Sequence, residues 1–503
     1  MALEPVVPAR PLVWPPLVER LRILLKDQPD IYLVGGVVRD ALLQRPSHDL
    51  DLVARGDGCA VARAIADELG GAYYPLDVER GVGRALIPWQ EETITVDVAH
   101  IRGPDLQTDL SLRDFTINAM AAPLAGDEQH VYDPLGGLAD LQAKRLRLCA
   151  PRAIADDPVR SLRAVRFSLM FGLFIEPGTR AALRDNVHRL KECSVERIRD
   201  EFIAILQAPR PQAGLAALQQ LGLLQQIIPE VELLPGLTQP PPHQYDVWRH
   251  TLLTVERLYE IATMLEGQRS SDDAANVQLG LIAFALSGMR ESLGEHLKQQ
   301  WANHHAHRGL LVLAALLHDI GKPAARQEVG ERVSFHGHER VGATIAQDRA
   351  RALRLSNEET ARLGAIVRHH MRPHWLYANP PLTRRAVCRF WRDTGEAGID
   401  ICLLALADYL ATYGVMLDSQ QWTHYLELVR DLLQSYLRRR ETDVAPPPLL
   451  TGRDLIQELQ LRPGPLVGEL IERLTEAQVM GEITSREEAL AFARRFLLAK
   501  GLS

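Results

Sequence analysis

Strand-like and helix-like segments alternate only in the first third of the chain, and this asymmetry restricts the fold more than any other feature. Between residue 25 and about residue 150, short apolar runs are separated by helical segments, which predicts an α/β unit around a small sheet. From Asp156 onward, amphipathic helical sequence dominates. The predicted class is therefore α+β, with a small N-terminal sheet and helices after it. The predicted strands are Ile31–Val34, Leu50–Val53, Ala85–Pro88 and Thr93–Ala99.

The length and composition indicate a globular protein of several domains. A chain of 503 residues exceeds what one hydrophobic core supports, and 46% hydrophobic with 24% charged residues is ordinary for folded domains. The net charge of -7 does not by itself indicate nucleic-acid binding. Arginines are nevertheless dense from Arg145 to Arg199 and again at Arg438–Arg440, so local basic surfaces are compatible with the acidic total.

The cysteines and the N-terminus indicate a cellular compartment. Five scattered cysteines without a CxxC pair suggest neither a thiolate zinc site nor a disulfide framework. The N-terminal sequence lacks the order of a signal peptide, and the longest apolar run, Leu310 to Leu317, is too short to span a bilayer. We therefore expect a cytoplasmic protein without a membrane anchor.

The sequence DIYLVGGVVRDALLQRPSHDLDLVA, residues 30 to 54, predicts a strand, a glycine turn, a helix and a second strand. The period of two in the second strand places Asp49 and Asp51 on the same face. Two neighbouring carboxylates repel each other. They are tolerated when they are solvated at an edge, or when a divalent cation lies between them.

The glycine turn, Gly35 and Gly36, leads into a helix whose first amides can bind an anion, with Arg39 one turn further on. A third carboxylate, Asp97 in TITVDVAH, lies on another alternating strand. Three carboxylates beside a phosphate-binding turn suit two Mg²⁺ ions, one activating an attacking hydroxyl and one holding a triphosphate. We favour this interpretation over an exposed sheet edge.

The segment DLSLRDFTINAMA, residues 109–121, is typical of a capped amphipathic helix. Asp114 and Asn118 lie one turn apart, so they are expected to share a helix face. Arg113 directly precedes them.

The segment DDPVRSLRAVRF, residues 156–167, also predicts the beginning of a helix. Asp157 and Arg160 lie at positions i and i+3, and Arg163 follows one turn later. Taken alone, this is an ordinary helix start with a local ion pair.

In this order, GGVVRDALL, HDLDLV, LRDFTINAMA, DPLGGLADL, DDPVRSLRAVRF and ERIRDEF resemble the successive motifs of class II tRNA nucleotidyltransferases. This is the CCA-adding family within the polymerase β superfamily, and the resemblance covers roughly residues 30 to 230. It implies a polymerase-β-type nucleotidyltransferase head in which Asp49 and Asp51 hold Mg²⁺ and Asp97 is a third catalytic carboxylate. The nucleotide-binding residues that it implies are Gly35, Gly36, Arg39, Arg113, Asp114, Asn118, Asp157, Arg160 and Arg163.

In that family, Asp157 and Arg160 would read the incoming base of ATP or CTP. Cytosine and adenine both present an exocyclic amine beside a ring-nitrogen acceptor, so a carboxylate and a guanidinium can bond either one. Guanine and uracil present a carbonyl and an N–H at these positions, so their hydrogen-bonding groups do not match the carboxylate and the guanidinium. The protein can therefore select cytosine and adenine without a nucleic-acid template. Two positions depart from the family pattern. Leu112 replaces an Arg, and Asp156 replaces a Glu expected to orient Arg160 or to cap the helix.

Clusters of His and Asp residues follow the Pro-rich segment PGLTQPPPHQY, residues 235–245. Imidazole and carboxylate ligands on facing helices suit a divalent metal. The ordered set, with LLHDIGKP followed by HGHE, resembles the HD phosphohydrolase superfamily. This resemblance implies a site for Mg, Mn, Ni or Co with the ligands His250, His318, Asp319, His338, His370 and Asp408.

Residues 449–483 resemble the tail of family members that carry an HD domain. With the Arg-rich face before it, this tail is expected to bind the acceptor arm and elbow of tRNA through phosphate contacts. The implied organisation is an N-terminal lead (1–24), the nucleotidyltransferase head (25–150), an all-α neck and body (151–240), the HD domain (241–445) and a helical tail (446–503).

Several functions fit these motifs. The leading hypothesis is addition of C and A, or of only one of them, to tRNA 3′ ends. A poly(A) polymerase, a CC-adding enzyme and an A-adding enzyme remain open, because the motif residues do not separate them. An HD hydrolase or RNA-binding protein with a degenerate head is disfavoured by the intact motifs. A (p)ppGpp synthetase–hydrolase is disfavoured because its hydrolase module comes first.

Overall fold

The computed structural model describes residues 4–28, 30–125, 129–268, 276–303, 305–330 and 332–501. The chain divides into two compact units. The first comprises Met1–Glu201 with Ala217–Gln226, and the second comprises Phe202–Ala216 with Ile227–Ser503.

The first unit contains an eight-stranded sheet. Its strands are β1 (Pro5–Val6), β2 (Ile31–Val34), β3 (Asp49–Ala54), β4 (Ala72–Asp77), β5 (Val82–Trp89), β6 (Glu92–His100), β7 (Ala121–Pro123) and β8 (Val131–Tyr132). The spatial order is β1-β8-β7-β2-β3-β6-β5-β4. Strands β3 and β6 are parallel, whereas β2 and β5, which flank them, pair antiparallel. All four predicted strands lie within β2, β3, β5 and β6.

The alternation predicted for β3 positions the carboxylates. Leu50 and Leu52 are buried in the core, together with Val96 and Val98 of β6. Asp49 and Asp51 therefore project from the opposite face, because successive side chains of a strand alternate between faces. The apolar core on one side of the sheet holds the acidic pair on the other.

The helices follow one another to the end of the described chain. In chain order they are α1 (Pro16–Leu24), α2 (Gly36–Leu42), α3 (Gly58–Leu69), α4 (Leu106–Ser111), α5 (Gly137–Gln142), α6 (Ala153–Asp156), α7 (Arg160–Phe171), α8 (Pro177–Asp185), α9 (Val195–Gln207), α10 (Pro211–Gln220), α11 (Leu224–Ile227), α12 (Val247–Leu265), α13 (Val277–Ala285), α14 (Arg290–Lys298), α15 (His307–Leu317), α16 (Lys322–Ala325), α17 (His338–Ala352), α18 (Asn357–His369), α19 (Arg372–Ala378), α20 (Arg384–Thr394), α21 (Ala397–Tyr413), α22 (Ser419–Leu437), α23 (Gly452–Glu458), α24 (Pro465–Val479) and α25 (Arg486–Ala499).

The helix expected over residues 109–121 does not form, and this part of the prediction is wrong. Helix α4 ends at Ser111, and a single 3₁₀ turn, Thr116–Asn118, follows. The carboxylate of Asp114 accepts hydrogen bonds from the backbone N–H of Phe115 and from the side chain of Asn118. Local side-chain bonds of this kind compete with a helix. They still bring Asp114 and Asn118 together.

The α+β class is confirmed, with only short strand pairs outside the main sheet in the described residues. These are β9 (Arg145–Leu146) with β10 (Phe174–Ile175), and β11 (Gln327–Val329) with β12 (Arg332–Ser334). In the second unit, α12, α15 and α18 pack around α21. Among the described residues, one helical segment, Ala397–Met416, is long and apolar enough to cross a membrane, but most of it is buried, as in a core helix.

Candidate functional site

Strands β3 and β6 bring the three predicted catalytic carboxylates to one face of the sheet. Asp51 lies directly opposite Asp97 in the parallel register, and Asp49 lies at the more exposed start of β3. Burial raises the pKa of Asp51; Arg113 opposes this shift, and the charges of Asp97 and Asp49 add to it. Such an excess of negative charge fits a bound cation.

The glycine turn closes tightly over these carboxylates. Gly35 has a φ of 75°, a conformation that residues with a side chain rarely adopt. A β-carbon at this position would lie 3.1 Å from both Oδ2 of Asp51 and Nη1 of Arg113. Glycine is therefore required for the start of α2 to approach Asp51.

Arg84 on β5 binds the third carboxylate, and the sequence motifs did not single it out. Its Nε and Nη2 donate to the two carboxylate oxygens of Asp97 at 2.7 and 2.8 Å. The pairing follows from the antiparallel register, which places Arg84 opposite Asp97. The alternating pattern of β5 predicts the face of the sheet on which Arg84 lies, but it does not predict that Asp97 is the partner of Arg84.

A cavity of about 500 Å³ opens beside these carboxylates. Every predicted catalytic and nucleotide-binding residue except Asp157 lines it. The lining residues predicted from the sequence are Gly35, Gly36, Arg39, Asp49, Asp51, Asp97, Arg113, Asp114, Asn118, Arg160 and Arg163.

A chain of hydrogen bonds and ion pairs connects α2 with α7 along the wall of this cavity. Buried Arg39 binds the Asp40 carboxylate at 2.9 Å and donates from Nη1 to Oδ1 of Asn118 at 2.6 Å. Asn118 in turn donates to Asp114, and Nη1 of Arg163 lies 3.2 Å from Oδ2 of Asp114. The glycine turn and the helix predicted to read the base are thereby mechanically linked.

Asp109 holds Arg113 at the edge of the glycine turn. Arg113 donates from Nε and Nη2 to Oδ2 of Asp109, and Arg102 donates to Oδ1 of the same carboxylate. Burial raises the pKa of Asp109, but the hydrogen bonds and charges of the two arginines outweigh it and hold the pKa below its ordinary value. Asp109 is therefore ionised and fixes the direction of Arg113.

The predicted base-reading pair forms, with an additional partner. Nε of Arg160 lies 3.7 Å from Oδ2 of Asp157, and Nη2 of Arg197 donates to the same oxygen at 2.7 Å. Arg160 also donates to the backbone carbonyls of Leu112 and Ala153, each at 3.2 Å. Arg197 belongs to the ERIRDEF motif, although the sequence did not indicate this contact.

In the second unit, the six predicted metal ligands meet in two adjacent groups. His250, His318 and Asp408 form one group, and Asp319, His338 and His370 form the other. Within each group the ligand atoms lie within 4.8 Å of one another, and all are buried.

The histidine rings are oriented for metal binding. The Nδ1 atoms of His318, His338 and His370 lie 2.7 to 2.9 Å from backbone carbonyls, so each Nδ1 is assigned the proton. The Nε2 lone pairs then point into the site, where those of His338 and His370 face each other at 3.3 Å. Two facing lone pairs are relieved by a shared cation, which fits a metal in this group.

The groups of the site differ in charge. Burial lowers the pKa of His318, but the charge and hydrogen bond of Asp319 outweigh it and raise the pKa above its ordinary value. Burial, together with His318 and His338, lowers the pKa of His370 to about 3, so its ring is neutral at neutral pH. Burial raises the pKa of Asp319, but His318 and Lys322 outweigh it and hold the pKa well below its ordinary value. An ionised carboxylate and a neutral imidazole are the forms that bind metals.

Other residues around this site were not predicted from the sequence. Nζ of Lys322 lies 2.6 Å from Oδ2 of Asp319, and Nε2 of His374 lies 2.9 Å from Oδ2 of Asp408. A neighbouring cavity of about 350 Å³ is lined by Asp319, Lys322, His338, His374 and Asp408, and also by aromatic side chains that include Trp375 and Tyr409. Of these residues, the sequence could have indicated only Lys322 in HDIGK as a partner of Asp319, because it follows Asp319 by three residues.

Four family models match successive parts of the chain. They are described as the poly A polymerase head domain (residues 31–147), the probable RNA and SrmB-binding site of polymerase A (172–234), the HD domain (247–413) and a putative tRNA nucleotidyltransferase domain 2 (445–493). The match to the HD domain covers all six residues of the metal groups.

An A-adding tRNA nucleotidyltransferase of Deinococcus radiodurans is 35% identical over 476 residues, which cover 93% of this chain and 96% of the relative. The chain belongs to the tRNA nucleotidyltransferase family. A CC-adding tRNA nucleotidyltransferase of Thermus thermophilus is 32% identical over 471 residues, 92% of this chain and 93% of the relative. The resemblance inferred from the motifs is thereby confirmed.

Solved tRNA nucleotidyltransferases share the fold at low sequence identity. A CCA-adding enzyme in complex with ATP has a TM-score of 0.61 at 19% identity and covers 96% of both chains. The Thermotoga maritima CCA-adding enzyme complexed with tRNA has a TM-score of 0.56 at 20% identity and also covers 96% of both chains.

The two departures from the tRNA nucleotidyltransferase pattern, Leu112 and Asp156, each directly precede a predicted nucleotide-binding residue but do not line the cavity. The side chain of Leu112 is exposed, and its backbone carbonyl accepts a hydrogen bond from Arg160. Asp156 does not cap α7, whose N-cap position is Val159; instead its carboxylate lies 3.7 Å from Nε of Arg152. The capping role considered for Asp156 is therefore wrong. Nucleotidyltransferase heads and HD domains generally use divalent metals, and the two ligand groups of the HD domain here have donor sets that fit one.

Proposed function

We propose that this protein adds CMP, AMP or both to the 3′ end of tRNA, using CTP and ATP and releasing pyrophosphate without a nucleic-acid template. The observation that carries this proposal is the pair Asp49 and Asp51 beside the glycine turn, in a cavity that also contains Arg113 and Arg160. This combination of carboxylates, phosphate-binding turn and arginines suits transfer of a nucleotidyl group.

We assign metal binding in the head to Asp49 and Asp51 and the third carboxylate position to Asp97. Bound Mg²⁺ would make the attacking 3′ hydroxyl of the RNA more acidic and would neutralise negative charge on the triphosphate. Arg39, with Gly35 and Gly36, is assigned to the triphosphate. Arg113, Asp114 and Asn118 are assigned to the sugar side of the nucleotide, where Asp109 keeps Arg113 in place.

Base selection is assigned to Asp157 and Arg160, with Arg163 beside them on α7. A carboxylate that accepts from the exocyclic amine and a guanidinium that donates to the ring nitrogen bond cytosine and adenine, but not guanine or uracil. Two contacts support this role. Arg197 holds Asp157, and backbone carbonyls hold Arg160, so neither side chain is free to turn toward a mismatched base.

The choice between C and A stays open, because the relatives named above include both an A-adding and a CC-adding enzyme. The test is a product ladder on two sets of tRNA transcripts, one lacking the terminal CCA and one ending in CC, with CTP and ATP supplied singly and together. Extension by CC with CTP alone and by CCA with both indicates a CCA-adding enzyme. Extension only of transcripts that already end in CC indicates an A-adding enzyme. A long tail with ATP alone supports the alternative of a poly(A) polymerase, and no extension contradicts the proposal.

We assign residues 25–150 to catalysis, 151–240 to base recognition and RNA binding, 241–445 to the HD domain and 446–503 to contacts with the tRNA acceptor arm and elbow. Residues 1–24 were expected to form a separate lead, but β1 pairs with β8 in the head sheet and Leu17 and Leu21 of α1 lie in the head core, so we assign this segment to the head. All five cysteines are free thiols, which supports a reducing, cytoplasmic location for this activity.

A second activity is favoured by the two buried ligand groups of the HD domain. We assign His250, His318, Asp319, His338, His370 and Asp408 to a divalent metal site, with Mg, Mn, Ni or Co as candidate ions. Bound metal would supply an activated water and polarise a phosphoryl group, as in other phosphohydrolases. The test is hydrolysis of phosphate monoesters and cyclic phosphates with each metal, by the wild type and by the double variant His318→Ala and Asp319→Ala. Equal hydrolysis by both proteins would exclude this site.

A further inference from the structure

Four side chains form a row across neighbouring strands of the head sheet. The register pairs Asp51 on β3 with Asp97 on β6, Asp97 with Arg84 on β5, and Arg84 with Tyr74 on β4. Directly paired residues point to the same face, so Tyr74 lies on the face that carries the carboxylates. With strands about 4.8 Å apart, the row extends roughly 14 Å from Asp51 to Tyr74.

The outer half of this row is open to a ligand. Strand β4 is the edge of the sheet, and the side chain of Tyr74 is 51% exposed there. Arg84 uses Nε and Nη2 for Asp97, and no described residue bonds its Nη1. An exposed aromatic ring beside a guanidinium is the combination that binds single-stranded nucleic acid by stacking and phosphate contact.

The neighbouring residue provides a contrast on the opposite face. Tyr73 points away from the carboxylates and is half-buried, with the guanidinium of Arg63 from α3 lying 4.7 Å from its ring centre. The same pair of residue types therefore packs within the head on one face and is open on the other. Most of β4 is exposed, so Tyr74 differs from Tyr73 in the face that it occupies and in having no packed partner there among the described residues, not in exposure alone.

The position of the row relative to the cavity indicates which substrate would lie along the row. The glycine turn follows β2, on one side of β3, whereas β6, β5 and β4 lie on the other side. In nucleotidyl transfer the attacking oxygen and the leaving group lie roughly in line on opposite sides of the phosphorus. If the triphosphate lies at the glycine turn, the attacking RNA end approaches over β6 and β5.

We propose that the single-stranded 3′ end of the acceptor RNA lies along this row. A base stacks on Tyr74, a backbone phosphate contacts Arg84, and the terminal 3′ hydroxyl reaches Asp97 and Asp51. The inference rests on the proposed function and adds the position of the RNA substrate. Stacking tolerates any base, which suits an enzyme whose RNA substrate changes its last base with each addition.

The kinetic test compares the two faces of the sheet. Tyr74→Ala and Arg84→Met are expected to raise the KM for tRNA about tenfold, the value of roughly one base–aromatic stack. For Tyr74→Ala the KM for CTP and ATP should stay within about twofold, since uniform loss of one substrate's binding leaves the other unaffected. Tyr74→Phe, which keeps the ring, and Arg63→Met, which removes an arginine from the other face, should behave like the wild type.

A binding test needs no catalysis. A tRNA that lacks CCA and ends in 2-aminopurine should lose fluorescence on binding the wild type, Tyr74→Phe or Arg63→Met, but not on binding Tyr74→Ala. If Tyr74→Ala and Arg84→Met retain both the quenching and the wild-type KM for tRNA, the RNA end lies elsewhere and the inference is overturned. A wild type that binds and quenches this RNA but extends no RNA end would overturn the proposed function while upholding the binding row.

Discussion

Nη2 of Arg197 donates a hydrogen bond to Oδ2 of Asp157 at 2.7 Å. This ion pair joins the ERIRDEF motif to the carboxylate assigned to the base edge. Asp157→Ala is expected to weaken discrimination against UTP and GTP more than it weakens binding of CTP or ATP, because the triphosphate is assigned to the glycine turn. Single-turnover rates with each of the four nucleotides measure this ratio. An equal loss of rate for all four would contradict the assignment of Asp157.

Arg197→Met should shift nucleotide choice in the same direction as Asp157→Ala, but less. Without Arg197, Asp157 keeps Arg160 as a partner at 3.7 Å and is less firmly held. The expected loss of discrimination is about tenfold, or ~1.4 kcal/mol. Arg180→Met removes an arginine of α8 whose contact is an exposed bond to a backbone carbonyl, and it serves as the control. Unchanged discrimination in Arg197→Met would mean that Asp157 is positioned without Arg197.

Asp49→Asn and Asp51→Asn should each abolish nucleotide addition while tRNA affinity remains near that of the wild type. The reason is that the carboxylates are assigned to the metals, whereas tRNA binding is assigned to phosphate contacts elsewhere on the protein. Extension rates and filter-binding affinities measured in parallel separate the two effects. Asp67→Asn, on the exposed side of α3, is the matched control. Retention of more than about a tenth of the wild-type rate, a loss below ~1.4 kcal/mol, would argue against metal ligands.

His338→Gln should remove metal from the HD domain and reduce hydrolysis of phosphate esters by more than about tenfold. Loss of a residue that only hydrogen-bonds a metal ligand typically lowers metal affinity or activity at least about tenfold, and loss of the ligand itself should lower it at least as much. His336→Gln is a close control, because His336 lines the same cavity but belongs to neither ligand group. Metal content by elemental analysis and hydrolysis rates should fall together. Equal metal content in the two variants would place the metal elsewhere.

The stability of the second unit should fall as the pH is lowered from 6.5 to 4, and His307 should contribute to this loss together with His370, whose pKa is lowered to about 3. Burial, with the neighbouring His296 opposed by Asp400, lowers the pKa of His307 from its ordinary value of 6.5 to about 4. The unfolded chain therefore takes up this proton first, and stability present above pH 6.5 is lost progressively below it. The ring stacks on Trp301 at 4.0 Å, in its neutral form.

His307→Gln should flatten this dependence. The midpoint temperature of unfolding, followed by Trp fluorescence between pH 7 and pH 4, should decline less in the variant than in the wild type. Asp400 also has a lowered pKa, but the stability that it contributes is lost mainly around and below its ordinary value of 3.8, at the lower end of this window. Parallel declines in the two proteins would assign the acid sensitivity to other groups.

Local sequence determined much of the fold and the catalytic face. The period of two along β3 placed Asp49 and Asp51 together, and the glycine turn before α2 was predicted correctly, because both depend on residues close in the chain. The ordered motifs identified the family. The helix predicted over residues 109–121 failed, since side-chain bonds of Asp114 compete with helical bonds and helical spacing alone does not reveal them.

The partners that hold the functional side chains were decided only by the tertiary structure. Arg84 meets Asp97 because β5 pairs with β6 in one register, and a shift of one residue would turn Arg84 to the other face. Arg197 reaches Asp157 across 40 residues of chain, and His374 reaches Asp408 across 34. Sequence periodicity reports which face a residue occupies, whereas its partner depends on how separate elements pack, and that packing is set by the whole core.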